Sequence, residues 1–270
     1  MMEWYEAIIL GLIQGLTEFL PVSSSGHLEI GKVLLGVETT DDLLFTTMVH
    51  AATVLSTIVV FRRQILDLLK GFFRFSNNDQ TDYVLKIAVS MIPVLIVGLF
   101  FKDDVEAMFG SIRVVGIALV MTAVLLFFSD RASRPGSSSI FPVKEYRNGI
   151  SYWQAFAVGL GQAFAVIPGL SRSGTTISTG LICGVKRDVM AQFSFLMVLV
   201  PILGETFLEV VGGEFGASSV GGTALMLGFV SAFLSGLFAC RVMIALVKKA
   251  KLSWFALYCL IAAAAIFIFA

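Results

Sequence analysis

The chain alternates long apolar runs with short polar breaks, and the runs are of two kinds. Uninterrupted runs cover roughly 43–61, 84–101, 114–128, 190–210, 223–247 and 252–270. Each approaches the length of about 17–25 residues that lets a helix cross a bilayer. The other kind is broken. Residues 3–20 predict a helix on which Gly11, Gln14, Gly15 and Glu18 share one side. Pro21 ends it, and Ser23, Ser24 or Ser25 caps a short second helix to about residue 35. Gly26 lets another backbone or a ligand come close there. Neither piece crosses a bilayer comfortably, so the pair predicts a re-entrant hairpin.

The plan then repeats with an offset of 148 residues: Gln14 falls on Gln162, Ser23, Ser25 and Gly26 on Ser171, Ser173 and Gly174, and Phe45 on Phe193. Pro21 and Pro168 match only after a one-residue slip. Together these matches predict an internal repeat. The expected architecture is an all-α, polytopic membrane protein forming one domain. Repeat 1 spans about 3–130, a hydrophilic linker 131–149, and repeat 2 about 150–270. Each repeat holds a re-entrant pair and three spans.

Composition agrees: 57% of the residues are apolar and 14% charged, and mean hydropathy is +0.90. Soluble domains carry about 25% charged residues. Without a basic patch interleaved with aromatics, nucleic acid is excluded as a partner. The acidic start and the lack of a small-residue cleavage site argue against a cleaved signal peptide. Cys183, Cys240 and Cys259 are odd in number and far apart, which points to packing rather than to disulfides or a thiolate metal site.

Charge placement predicts orientation. With the loop bearing Arg62, Arg63, Lys70 and Arg74 in the cytoplasm, alternating spans put 15 of the 19 Lys and Arg residues on that side. Three spans per repeat then make the two repeats inverted in topology, a plan of transporters with sites near the midplane.

Two polar stretches carry candidate chemistry. In residues 14–27, QGLTEFLPVSSSGH, Glu18 is a candidate metal ligand or proton acceptor, and Gln14 could add an oxygen ligand. The alternative is a hydrogen-bonded pair holding the broken helix. Ser24 and His27 share a helix face, as a nucleophile and its base would; a helix cap with a packed histidine is the plainer reading. In 168–176, PGLSRSGTT, the guanidinium of Arg172 suits phosphate oxygens. Ser171, Ser173, Gly174, Thr175 and Thr176 open a helix whose N-terminus would seat an anion. A structural salt bridge from Arg172 to Glu18 is the alternative. His50 lies between apolar residues and reads as core packing or a secondary contact.

These two stretches resemble the motifs of the undecaprenyl-diphosphate phosphatase family, the bacitracin-resistance type of membrane enzyme. Gln14 and Glu18 match its first motif, although some members have glutamate at the position of Gln14. Pro168, Gly169, Ser171, Arg172, Ser173 and Thr176 match its second. The resemblance implies hydrolysis of undecaprenyl diphosphate to the monophosphate at the bacterial cytoplasmic membrane. That reaction recycles the lipid carrier of cell-wall synthesis and confers resistance to bacitracin, which competes for the diphosphate.

The resemblance also implies a divalent cation, Mg²⁺ or Ca²⁺, and an extracytoplasmic opening; a homodimer is a further expectation. Ser24 would attack the terminal phosphorus with His27 as base, while Ser23, Ser25, Gly26 and residues 171–176 bind the phosphates. The rival has His27 as nucleophile and Ser24 only binding. The serine-glycine-histidine string also resembles the phosphatidic-acid phosphatase superfamily, but no lysine-arginine-proline motif accompanies it. A transporter or flippase of polyprenyl phosphate is the alternative function, on repeat symmetry alone.

Overall fold

Helix α1 (Trp4–Thr17) opens where the Glu6 carboxylate accepts from the Glu3 amide at 2.7 Å. Helix α6 (Tyr152–Phe164) opens with a full capping box, in which Ser151 and Gln154 each accept from the other's amide. Glu3 and Glu6 are 148 residues before Ser151 and Gln154. Their partners α2 (Ser24–Leu35) and α7 (Arg172–Ile182) also end alike. Gly36 and Gly184 adopt left-handed backbone at φ +70° and +82°. Val37 N reaches Lys32 O and Val185 N reaches Gly180 O, the same closing bond at the same offset.

At about 1.5 Å per residue these four helices are 16–21 Å long, short of a hydrocarbon core of about 30 Å. Gln154 Nε2, near the start of α6, donates to Cys183 O just past α7 at 2.9 Å, so that pair returns to where it began.

The structure is a computed structural model describing residues 2–37, 43–101, 104, 105, 108, 111–133, 146–204, 220–249 and 251–269. Among the described residues the regular structure is all helical, without strands. The other helices are α3 (Leu43–Phe72), α4 (Asp79–Phe100), α5 (Ile112–Ala132), α8 (Arg187–Met197), α9 (Gly222–Lys249) and α10 (Ser253–Phe269). Five segments, from α3, α4, α5, 187–204 and α9, are long and apolar enough to cross a membrane, and α10 is a shorter apolar helix. The described cysteines are all unpaired, as expected.

Two spans depart from expectation. Helix α3 continues past residue 61 to Phe72, because Arg62, Arg63 and Lys70 are good helix formers that can stay wet at its end. The run expected over 190–210 turns at Val198 before helix resumes over 199–204. Pro201 explains the break, since it has no N–H for the Met197 carbonyl. Residues 205–210, like 134–145 of the linker, lie outside the described residues.

Packing between the halves is reciprocal. Helix α1 lies along α9, and α6 lies along α4. A Cβ on Gly11 would sit 2.4 Å from Gly228 O, and one on its repeat mate Gly159 would sit 2.2 Å from Ser90 O. Gly11 and Gly15 meet Gly228, Ala232 and Gly236, small residues spaced one turn apart on both helices. Such stripes let helices approach closely where lipid supplies no hydrophobic drive. Phe45 and Phe193, also repeat mates, are both fully buried.

Candidate active site

Pro21 cannot continue α1, so the chain turns over residues 18–22 with Glu18 as the helix's C-cap. Ser23 then enters α2 at φ +70°, ψ 95°, a strained geometry for a side-chain-bearing residue. The local bonds over-determine it. Ser23 Oγ accepts from Gly26 N at 3.2 Å, and Ser23 O accepts from His27 N at 3.1 Å and His27 Nδ1 at 2.7 Å. In the second motif Ser171 Oγ likewise accepts from Gly174 N at 3.0 Å, at an ordinary φ of −69°. Ser23 and Ser171 are therefore the caps among the candidate serines.

The two turns interlock. A Cβ on Gly26 would lie 3.7 Å from Gly169 Cα, and one on Gly174 would lie 3.3 Å from Pro21 Cβ. Ser173 Oγ donates to Leu20 O at 3.1 Å. Ser24 and Arg172, which are 148 apart, become the first residues of their helices. Both side chains converge on Glu18: Ser24 Oγ donates to Oε2 at 2.6 Å, and Arg172 Nη2 donates to Oε1 at 3.3 Å. Gln14 Nε2 also donates to Oε2, at 2.8 Å, while its own Oε1 is buried without a partner.

His27 is not placed beside Ser24. Its Nδ1 donates to the Ser23 carbonyl, and Nε2 lies 2.7 Å from the Tyr258 hydroxyl, with the two rings stacked. Because a carbonyl only accepts, Nδ1 bears a proton, and Nε2 pairs with the Tyr258 hydroxyl. The hydrogen-bond acceptor at Ser24 is thus Glu18, not the imidazole expected from three-residue spacing. The His27 ring takes the carbonyl one turn earlier, as His50 does with Thr46, and reaches Tyr258 on a distant helix, a contact that spacing does not report.

The other candidates divide by position. Thr176 Oγ1 contacts Ser194 Oγ at 2.7 Å and donates to Arg172 O at 2.8 Å. Ser25 Oγ lies 3.4 Å from Ser23 Oγ, and Ser173 Oγ lies at the same distance from Ser171 Oγ. Thr175 N is bonded to Ser171 O, and its Oγ1 is buried without a partner. With Gly174 N on Ser171, the amides of Arg172 and Ser173 remain to face an anion at the start of α7.

A small cleft lies beside Glu18 and Arg172. Ser173, Thr176, Thr53, Thr57 and Ser194 line its polar part; Phe19, Val54, Phe195, Val198, Leu199 and Ile202 line the rest. Sequence reasoning missed Tyr258 and left His50 between core packing and a secondary contact. His50 Nε2 lies 3.9 Å from Glu18 Oε2. The available signal was that an ionisable group within an apolar span is a functional position by default.

Among the described residues, no three His, Cys, Asp or Glu side chains gather to hold a metal ion. The Glu18 carboxylate and the orphaned Gln14 oxygen do fit a hard divalent cation, which takes its remaining ligands from water and phosphate.

Fold and site together define a multi-pass helical membrane protein whose charged centre is assembled from two broken helix pairs. The chain belongs to the family of the bacitracin resistance protein BacA, whose model matches residues 7–265. It is 52% identical over 264 residues to an undecaprenyl-diphosphatase of Bacteroides fragilis, covering 96% of each chain. An undecaprenyl-diphosphatase of Parabacteroides distasonis is 52% identical over 265 residues, 97% of this chain and 96% of the relative. One from Salinibacter ruber is 39% identical over 272 residues, 96% of each.

Proposed function

We infer that the protein hydrolyses undecaprenyl diphosphate to undecaprenyl phosphate and phosphate. The observation that carries the reading is the 2.6 Å bond from Ser24 to Glu18, on a carboxylate that also receives Arg172 from the other motif. A hydroxyl, a proton acceptor and a phosphate-binding fork meet at one point. Full-length similarity to relatives named undecaprenyl-diphosphatase supports the substrate.

Ser24 Oγ attacks the terminal phosphorus and passes its proton to Glu18. The bond from that phosphorus to the bridging oxygen breaks, and undecaprenyl phosphate leaves with the bonding pair. Water then attacks the phosphorus, the bond to Ser24 Oγ breaks, Glu18 returns its proton to Oγ, and phosphate leaves with the water's oxygen and proton. Arg172, freed from Glu18 by the incoming anion, binds the non-bridging oxygens with the amides at the start of α7. His27 holds the Ser23 cap in place. Glu18 and Gln14 would hold a divalent cation, Mg²⁺ or Ca²⁺, which when bound neutralises phosphate charge. The apolar part of the cleft suits the first isoprene units.

Inverted repeats are part of the same reading. The reciprocal packing of α1 on α9 and α6 on α4 supports them, as does the shared capping at an offset of 148. Residues on the basic loops also touch: Arg147 donates to Asn77 and Asp79, and Arg187 to Ser133 and Asp130. Their contacts support a common cytoplasmic side in the bacterial inner membrane, with the site open to the other face. Bacitracin would compete by sequestering the diphosphate. A homodimer and flipping of the product remain compatible with this site.

The test is phosphate release from undecaprenyl diphosphate by purified, detergent-solubilised protein. Release that is lost in Ser24→Ala supports the reading. A folded wild-type protein that binds the lipid without releasing phosphate would point to the transporter instead.

A further inference from the structure

The two motif turns are built alike except around one ring. Ser23 and Ser171 each cap their helix by accepting from the amide three residues on. The amides of His27 and Thr175, 148 residues apart, both reach back to those serines' carbonyls. Ser171 does this at an ordinary φ of −69°. Ser23 stands at φ +70°, ψ 95°, which a side-chain-bearing residue keeps only where its surroundings hold it. In the second turn Thr175 Oγ1 is buried without a partner. In the first, both nitrogens of His27 are engaged: Nδ1 donates to Ser23 O at 2.7 Å, and Nε2 pairs with the Tyr258 hydroxyl at 2.7 Å.

The bond to Ser23 is not by itself unusual, since His50 makes the same one to Thr46 O from inside a regular helix. At His27, however, the far nitrogen and one face of the ring are held as well. The Tyr258 ring stacks on it with centroids 5.5 Å apart and planes 13° from parallel. The next residue of α10, Cys259, donates from Sγ to Pro21 O at 3.7 Å. Helix α10 thus reaches the first turn on both sides of Ser23, at Pro21 and through His27. It is seated along α5, whose Val115 lies against Gly26 of the same turn.

The consequence falls on Ser24. The Ser23 carbonyl and the Ser24 amide share one rigid peptide plane, so whatever aims that carbonyl also aims the start of Ser24. Ser24 Oγ stands 2.6 Å from Glu18 Oε2, and rotation of that plane would break the contact. We propose that Tyr258 is a positioning residue for the reaction: by clamping His27 it fixes the Ser23–Ser24 peptide and holds the nucleophile on its proton acceptor. This rests on the reading of Ser24 as nucleophile. A tyrosine hydroxyl both donates and accepts, so the clamp holds in either charge state of the imidazole.

Tyr258→Phe removes only the hydroxyl and keeps the stacked ring. The chain has two histidines, so imidazole ¹⁵N spectra of detergent-solubilised protein follow His27 directly, with His27→Gln giving the assignment. In Tyr258→Phe the His27 Nε2 resonance should shift while those of His50 stay in place. Measured well below the unfolding midpoint, kcat should fall by about ten- to a hundredfold with KM within about twofold of wild type. A merely structural tie between α2 and α10 would lower the midpoint and leave kcat where it was. That outcome, an unmoved His27 resonance, or a loss carried by KM instead of kcat would overturn the proposal. Failure of the hydrolase reading shows elsewhere, in wild-type protein that releases no phosphate, whereas the His27 spectrum is read without turnover.

Discussion

Replacing Ser24 with alanine removes the hydroxyl whose proton Glu18 accepts. Phosphate release is expected to fall by about three orders of magnitude or more, as for other nucleophile deletions. A phosphoenzyme trapped by rapid quench should survive acid and map to Ser24. An acid-labile adduct on His27 would reverse the roles of the two residues. Arg172→Lys keeps the charge but loses the planar fork, so turnover should drop about 10²–10³-fold while the protein still inserts and folds. Near-normal turnover in that variant would show that Arg172 serves Glu18 as a salt bridge and not the phosphate.

Among the elements, the close helix pairs are the sensitive joints. A side chain at Gly11 or Gly159 would run into the backbone carbonyl of Gly228 or Ser90. Gly159→Val is expected to lower stability by about 1–3 kcal/mol through overpacking. Thermal unfolding of the detergent-solubilised protein checks this, and an unchanged midpoint would mean the α4–α6 pair can open freely.

A second joint is Asp130, almost fully buried, which accepts from Arg187 at 2.6 Å, Ser253 at 2.5 Å and the Leu252 amide at 3.2 Å. It ties α5 to α8 and α10. Asp130→Ala should destabilise the fold by up to about 3 kcal/mol, because it leaves partly buried donors without their acceptor. Phosphate release measured well below the unfolding temperature should change far less than the midpoint.

For the molecule as a whole, the expectation is inverted repeats with both polar turns near the midplane. Single cysteines at Ser76, Tyr146, Ser111 and Gly221, all exposed, test it in a protein otherwise free of cysteine. An impermeant thiol reagent applied from outside should label positions 111 and 221 but not 76 and 146. Labelling of 76 and 221, which lie in corresponding loops of the two repeats, from the same side would mean parallel repeats. The site would then need a different route across the membrane for its two halves.

Sequence alone determined the class of the molecule, because apolar length and charge distribution answer directly to the bilayer. It also marked the two motifs, since Pro21 and the serine caps act through local backbone geometry. Arg172 was legible for a similar reason: an arginine in an apolar setting demands a partner. What only the tertiary structure decided is who meets whom. His27 is three residues from Ser24, yet it bonds to Tyr258, 231 residues away, because the packing of the helices lays Tyr258 against it. Ser24 instead reaches Glu18 across the turn, and Arg172 reaches it across 154 residues. His50 read as packing or a secondary contact, and only the course of α3 showed the contact to be with Glu18. Those pairings depend on how interlocked turns and long helices pack, and spacing along one chain holds no record of that.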